Sequence, residues 1–468
     1  MDRPAPDPGT PAGTPGHAAP PSGAPFAAGS AAFALGAGTH AARLRRLLRD
    51  EVLARRIALA ALLILPPTLL ASRGFADALM SLIGVLFLLT RATVPGIARP
   101  WSWTLRPWHA LALLFWAWQV GVSVALGDGH QISESIVLLR LFVFLAALED
   151  WVLAEPRARR WFGWVVLATA LWVGIECWQQ YLTGTDIFGY HRWGDGSLTG
   201  PMYGPRAGST FLLLAFPAFL PVLAPLLAGR STAARVAGGV GVVAMLATQV
   251  LIGQRMPVVL MVFGLCVAAL FLPRLRLPVL VAAVVGAVLA ALTPILSPPT
   301  YAKLVVHFSQ QLEHFWSTQY AQLFERAAAM TAAHPWTGLG FDGFRDHCMD
   351  RIYWHNLPWF AVTDPASPLG CSIHPHNYYL QVATGAGVPG LALFVLLGLA
   401  WLWRLGRGAG GAGGREAGVR VGLFVVAAMT LWPIASATSL FTLPNAGWVF
   451  MAIGWGLAEA RAAAAARA

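Results

Sequence analysis

The sequence predicts an all-α fold: a polytopic membrane bundle of about twelve transmembrane helices with one large helical loop. Three observations predict it. The 468 residues are 57% hydrophobic and only 11% charged, whereas soluble domains carry roughly 25% charged residues. Apolar runs near 57–72, 75–90, 109–126, 134–151, 162–180, 208–228, 236–252, 257–272, 279–296, 379–403, 421–440 and 446–460 approach or reach the ~17–25 residues that cross a bilayer. Between the ninth and tenth runs, residues 297–378 are hydrophilic and too long to be a simple connection.

Residues 1–40 are Pro, Gly and Ala with hardly any charge, a composition that cannot bury a core and predicts a disordered cytoplasmic tail. Residues 41–56 follow with Arg43, Arg45, Arg46, Arg49, Arg55 and Arg56 and predict a basic amphipathic segment beside the membrane. This basic region starts too deep in the chain for a cleaved signal peptide, and a second apolar run follows the first almost at once. Transmembrane helices 1–9 are expected over 57–296, the outer loop over 297–378, helices 10–12 over 379–460, and a short cytoplasmic tail over 461–468.

Charge placement sets the orientation. With the amino terminus in the cytoplasm, twenty-three of the 32 basic residues fall in inside segments and eight outside, with Arg140 within a span. That bias satisfies the positive-inside rule and puts the long loop outside. The net charge of +11 is spread through short inter-span runs, with no basic face interleaved with aromatics, so nucleic acid is not an expected partner. The basic residues meet lipid headgroups instead. The twenty tryptophans sit mostly at span ends, as interfacial anchors do.

Outside arginines run against the topological trend, so those in short outer loops are candidates for holding an anion: Arg192, Arg206 and Arg255. The alternative is that each snorkels to the headgroups. The loop from Tyr181 to Ser209 is dense in Gly and Pro, which forbids a helix and frees backbone amides to turn toward a ligand. Tyr203 lies beside Arg206 in it. Arg255 follows Gly253-Gln254 in a tight connection, where a guanidinium reaches a pyrophosphate with a geometry lysine cannot match.

Within the long loop, amphipathic helices are expected at about 300–315 and 317–333, then the aromatic, Gly-rich run His334-Pro-Trp-Thr-Gly-Leu-Gly-Phe-Asp-Gly-Phe344 and Arg345. The loop closes with His374-Pro375-His376-Asn377. A histidine at a span end, next to an amide, is placed to take a proton from a hydroxyl. Two interfacial histidines capping a helix would look the same, and a His-x-His metal site lacks an evident third ligand. Cys348 and Cys371 share the outer loop and form a candidate disulfide if that compartment is oxidising. Cys177 and Cys266 fall in spans.

The chain resembles the O-antigen ligase and polymerase superfamily of bacterial inner-membrane glycosyltransferases, its ligase branch in particular. The resemblance covers about 160–460. It rests on the span pattern with one large late loop, the 334–344 run, and His376-Asn377 separated by nine residues from Gly387. It implies a periplasm-facing site in which a glycan on undecaprenyl pyrophosphate is the donor and lipid A-core or another hydroxyl is the acceptor. His376 would be the base, with Asn377 beside it, and Arg255 with Arg192 or Arg206 would bind pyrophosphate. His374, Arg345 and Tyr203 are further candidates, and neither metal nor cofactor is implied. Two departures stand: Pro201-Met-Tyr203-Gly-Pro-Arg206 replaces the family's Asn-Pro-Asn, which leaves Arg192 and Arg206 competing, and Gly390 arrives one place early. A glycan polymerase and a protein O-oligosaccharyltransferase remain open alternatives. A lipid or sugar transporter would need ionisable groups at mid-membrane, where Arg140 and Glu176 are nearly the only ones.

Overall fold

A computed structural model of the chain describes residues 50–94, 101–296, 302–306, 309–310, 313–411, 413–435 and 438–467. The predicted tail at 1–40 and most of the basic segment at 41–56 lie outside the described residues. The described chain is an all-α, multi-span membrane bundle, as lipid requires when every backbone polar group must find its partner internally.

In chain order the helices are α1 Glu51–Ala71, α2 Arg73–Thr93, α3 Pro107–Leu126, α4 Gly129–Val137, α5 Leu139–Ala147, α6 Pro156–Thr183, α7 Gly208–Ala228, α8 Thr232–Ile252, α9 Arg255–Phe271, α10 Arg276–Leu296, α11 Gln319–Ala333, α12 Gly343–His347, α13 Tyr378–Gly406, α14 Gly414–Thr430 and α15 Asn445–Ala465. A π turn, Leu148–Val152, prolongs α5. Each predicted apolar run overlaps at least one helix. Among the described residues, eight spans, counting Gly129–Val152 as one, are long and apolar enough to cross a membrane, against the twelve expected. Helices α9 and α14, at 17 residues each, are too short by that measure.

One expectation needs correction. The run at 421–440 is helical only to Thr430: Leu431 leaves helical geometry and Pro433 cannot donate a helix bond, so residues 431–435 are turn and loop. The loop helix expected at 300–315 falls partly outside the described residues. Its described part is helical at Ala302–Val306 as a π turn and at 309–310 and 313, and it ends at the start of a 3-10 turn, Phe315–Ser317. The second expected helix is α11, capped by the Thr318 hydroxyl, which accepts from Ala321 N at 3.3 Å.

Two features bear on the site. Helix α7 forms the centre of the bundle and packs on α14 through Gly418 and Gly422, where an added Cβ on Gly422 would lie 2.6 Å from Phe216 O. Such backbone approach is how small residues join membrane helices. At the α5 end, the π turn puts Glu149 and Asp150 into a buried ionic knot. Arg106 lies 3.0 Å from Glu149 and 2.5 Å from Asp150, Arg461 pairs with Asp150, and His109 stands 3.0 Å from Glu149. Arg140 is also paired, to Asp77 at 2.8 Å.

Candidate functional site

The glycine at 387 explains how the long loop meets the bundle. Helix α13 breaks there, at φ +65° and ψ −172°. The break frees backbone groups that the 334–344 run takes up: Leu339 N donates to Thr384 O at 2.8 Å, Gly340 N to Gly385 O at 3.0 Å, and Val388 N to Pro335 O at 2.7 Å. Trp118 Nε1 donates to Ala386 O at 2.8 Å. Side chains at 338 or 387 would collide with backbone: a Cβ on Gly338 would stand 2.6 Å from Ala386 N. The aromatic, Gly-rich run is therefore a strap laid against an opened helix.

Above the strap, α11 and its neighbours form a small core of Leu323, Ala327, Met330, Phe344 and Tyr353. Arg326 clasps it. Its guanidinium, 1% exposed, donates to Cys348 O, to Pro365 O at 2.7 Å and to Ser367 O at 3.2 Å, and stacks on Trp354. Burial pulls its pKa below the ordinary arginine value, and burial pushes the neighbouring Glu325 carboxyl up. Cys348 and Cys371 are joined by a disulfide, with Cα atoms 5.1 Å apart, which ties the end of α12 to the segment that leads to His374.

His376 takes a left-handed backbone, φ +54°, and is half-buried. Its ring meets Tyr320 at 5.7 Å and His374 at 4.4 Å between centroids, and His374 is itself buried. Asn377 caps α13. Its Oδ1 accepts from Tyr379 N at 2.9 Å and Leu380 N at 3.1 Å, and its Nδ2 donates to Pro433 O at 2.7 Å. Both ends of the carboxamide thus fix the junction on which His376 stands. Arg345 is exposed on α12, whose Gly343 and Phe344 are buried.

The arginines occupy a second group. The loop after α6 is stitched to the end of α8: Leu198 N donates to Ile252 O at 3.0 Å and Ser197 Oγ to Gly253 O at 3.2 Å. Gly208, which starts α7, donates its N–H to Gln254 Oε1 at 2.7 Å, so Arg206 and Arg255 flank one hydrogen bond. Arg206 is exposed, pairs with Asp195 at 3.0 Å and lies over the Trp193 ring. Arg192 instead caps the end of α6, donating to Gln180 O at 3.3 Å and to Tyr181 O. Tyr203 is 84% exposed and rests its ring against Tyr190. Glu176 accepts from Ile187 N at 3.0 Å and Trp172 Nε1 at 3.2 Å, anchoring the same loop.

A cavity of about 40 Å³, which neither His376 nor any of the three arginines lines, has Ser209 of α7, Pro257 of α9, Tyr378 of α13, Thr430 of α14 and Asn445 in its wall. Three of those residues belong to the first turns of helices that begin just after Arg206, at Arg255 and just after His376. Helix N-termini carry partial positive charge, so this end of the bundle favours an anion. Residues 240–395 match the O-antigen ligase family. The matched stretch holds Arg255, the strap, His376, Asn377 and Gly387, and leaves out Arg192 and Arg206. No curated protein matches the chain. Among the described residues, no three His, Cys, Asp or Glu side chains gather as a metal site would need. Sequence reasoning missed Tyr320, Gln254 and the clasping role of Arg326. Only Arg326 left a signal, as a basic residue on the side where few are found.

One prediction arises from the strap. Asp342 holds φ +58°, and burial, then the nearby Asp346 charge, push its carboxyl above the ordinary 3.8. A carboxyl raised on folding favours the fold most below its ordinary pKa, and that contribution is lost as pH rises through the folded value. Asp342→Asn, which tolerates the left-handed backbone, is expected to raise the thermal midpoint at neutral pH and flatten its fall from acid to neutral. Unfolding followed across that pH range in detergent checks it; parallel curves for both proteins would contradict it.

Proposed function

We propose that the protein is a membrane glycosyltransferase of the O-antigen ligase type. It moves a glycan from undecaprenyl pyrophosphate to an acceptor hydroxyl at the periplasmic face of the inner membrane, with lipid A-core the leading acceptor. His376 takes the proton of the hydroxyl as that oxygen attacks the anomeric carbon. Arg255 and Arg206, with the helix N-termini beside them, stabilise the charge on the departing pyrophosphate. Direct displacement inverts the anomeric centre and needs neither a covalent intermediate nor a metal.

The observation that carries this reading is the convergence on one cavity of the first turns of α7, α9 and α13. Arg206 is preferred to Arg192 because its ionic partner among the described residues is an exposed carboxylate, a pair worth about 0–1 kcal/mol that a phosphate replaces easily. Arg192 would have to release two main-chain carbonyls. The transporter alternative loses support, since Arg140 and Glu176 both have structural partners.

Reconstitution in liposomes with a lipid-linked glycan tests the proposal, with lipid A-core, free glycan and a hydroxyl-bearing protein offered as separate acceptors. Arg255→Ala is expected to lower kcat/KM for the donor by about 10–100-fold, the worth of a charged hydrogen bond, and Arg255→Lys to recover only part of it. Wild-type donor kinetics in Arg255→Ala would remove the clamp.

A further inference from the structure

A cavity larger than the one beside Ser209 and Tyr378 lies at the opposite end of the bundle from His376, between the start of α6, the middle of α7, the start of α14 and the end of α15. Its volume is about 510 Å³, within the roughly 300–1,000 Å³ of small-molecule sites. The proposed transfer reaction makes no use of it. We infer that it binds a phospholipid with an anionic headgroup, the phosphate at an arginine rim and an acyl chain along an apolar wall.

The wall is built by Trp164, Leu167, Pro221, Val222 and Trp455. Gly163 and Ala218 leave the space between them. Trp164 and Val222 are exposed on the outside of the bundle, so the wall opens toward lipid as well as toward its rim.

The charge at the rim is selective. Arg159 is already neutralised by Glu459 at 3.1 Å and donates to Leu153 O and Ala154 O. Arg160 is exposed and has no ion pair or hydrogen bond among the described residues. Arg415 rests over the Trp164 ring at 4.7 Å, so its charge stands directly above the apolar wall. Against these two guanidiniums, among the described residues that line the cavity, there remains only the exposed carboxylate of Glu416. A cationic rim above an apolar slot complements a lipid phosphate and its chain, whereas a soluble phosphate compound would leave the wall empty. The leaflet, cytoplasmic in the proposed orientation, depends on that orientation; the binding does not.

The test titrates purified full-length protein, in uncharged detergent, with phosphatidylglycerol or phosphatidylcholine of matched chains, read by native mass spectrometry and thermal unfolding. Wild type is expected to hold phosphatidylglycerol about tenfold or more tightly, at roughly 1 kcal/mol for each arginine. Arg160→Ala with Arg415→Ala, both exposed and so compatible with folding, is expected to erase the preference. Val222→Trp, which fills the slot, is expected to weaken both lipids. The inference is overturned if wild type holds the two lipids equally, if the preference survives loss of both arginines, or if inorganic phosphate displaces the phosphatidylglycerol. Glycan transfer is not the readout, so failure here leaves the proposed reaction standing.

Discussion

His376→Asn is expected to lower glycan transfer by about 10²–10⁴-fold, the usual worth of a positioned general base, while membrane insertion and donor binding stay as in wild type. Asparagine is the informative replacement because residue 376 holds φ +54°. Asn tolerates that left-handed backbone, whereas alanine would add strain at the junction and confuse a lost base with a misplaced loop. An amide cannot accept the hydroxyl proton at neutral pH, so the proposed step fails even with the strap, the disulfide and the Asn377 cap in place. Initial transfer rates in liposomes, measured beside donor binding, separate the outcomes. A wild-type rate would refute the base assignment, and loss of donor binding would mean that the ring acts through its contacts with Tyr320 and His374 instead.

How much of this was legible in the sequence depends on the range of the interaction. Hydropathy reports local burial in lipid, so every apolar run overlaps a helix. It failed at 421–440 because the chain beyond Thr430 stays apolar after Leu431 and Pro433 have ended the helix. The pairing of Cys348 with Cys371 could be posed from compartment alone and needed the fold to bring the Cα atoms to 5.1 Å. Arginines 192 and 206 were equally visible as outside charges. What separates them is tertiary: one meets the last carbonyls of α6, the other an aspartate across a loop whose path no spacing rule gives. Asn377 was legible as a neighbour of the histidine, but its tether to Pro433 was not, since that partner lies 56 residues away. The cavity shared by α7, α9 and α13 was not legible at all, because it is made by three segments distant in sequence.

Gly387→Ala tests the junction itself and is expected to abolish transfer in protein that still inserts into the membrane. The backbone at 387, φ +65° and ψ −172°, is a region only glycine occupies readily, and a side chain there costs about 1–3 kcal/mol. The new methyl would also stand 2.7 Å from Trp336 C and 2.8 Å from Pro335 O. Both are main-chain atoms, so no rotamer change relieves the clash. The strap must lift, and with it go the hydrogen bonds of Leu339, Gly340 and Val388, each worth about 1 kcal/mol. The sum, roughly 4–6 kcal/mol, rivals the whole stability of a small domain, so the outer loop undocks while the spans, held by their own packing, remain. Gly121→Ala, where an added Cβ meets nothing within 4 Å, is the control and is expected to behave as wild type. Tryptic cleavage after Arg345 and Arg351 reads the undocking directly: rapid cleavage is expected in Gly387→Ala and slow cleavage in the control. Equal protection of the two proteins, with transfer intact, would show that α13 keeps its break for some reason other than seating the strap beneath His376.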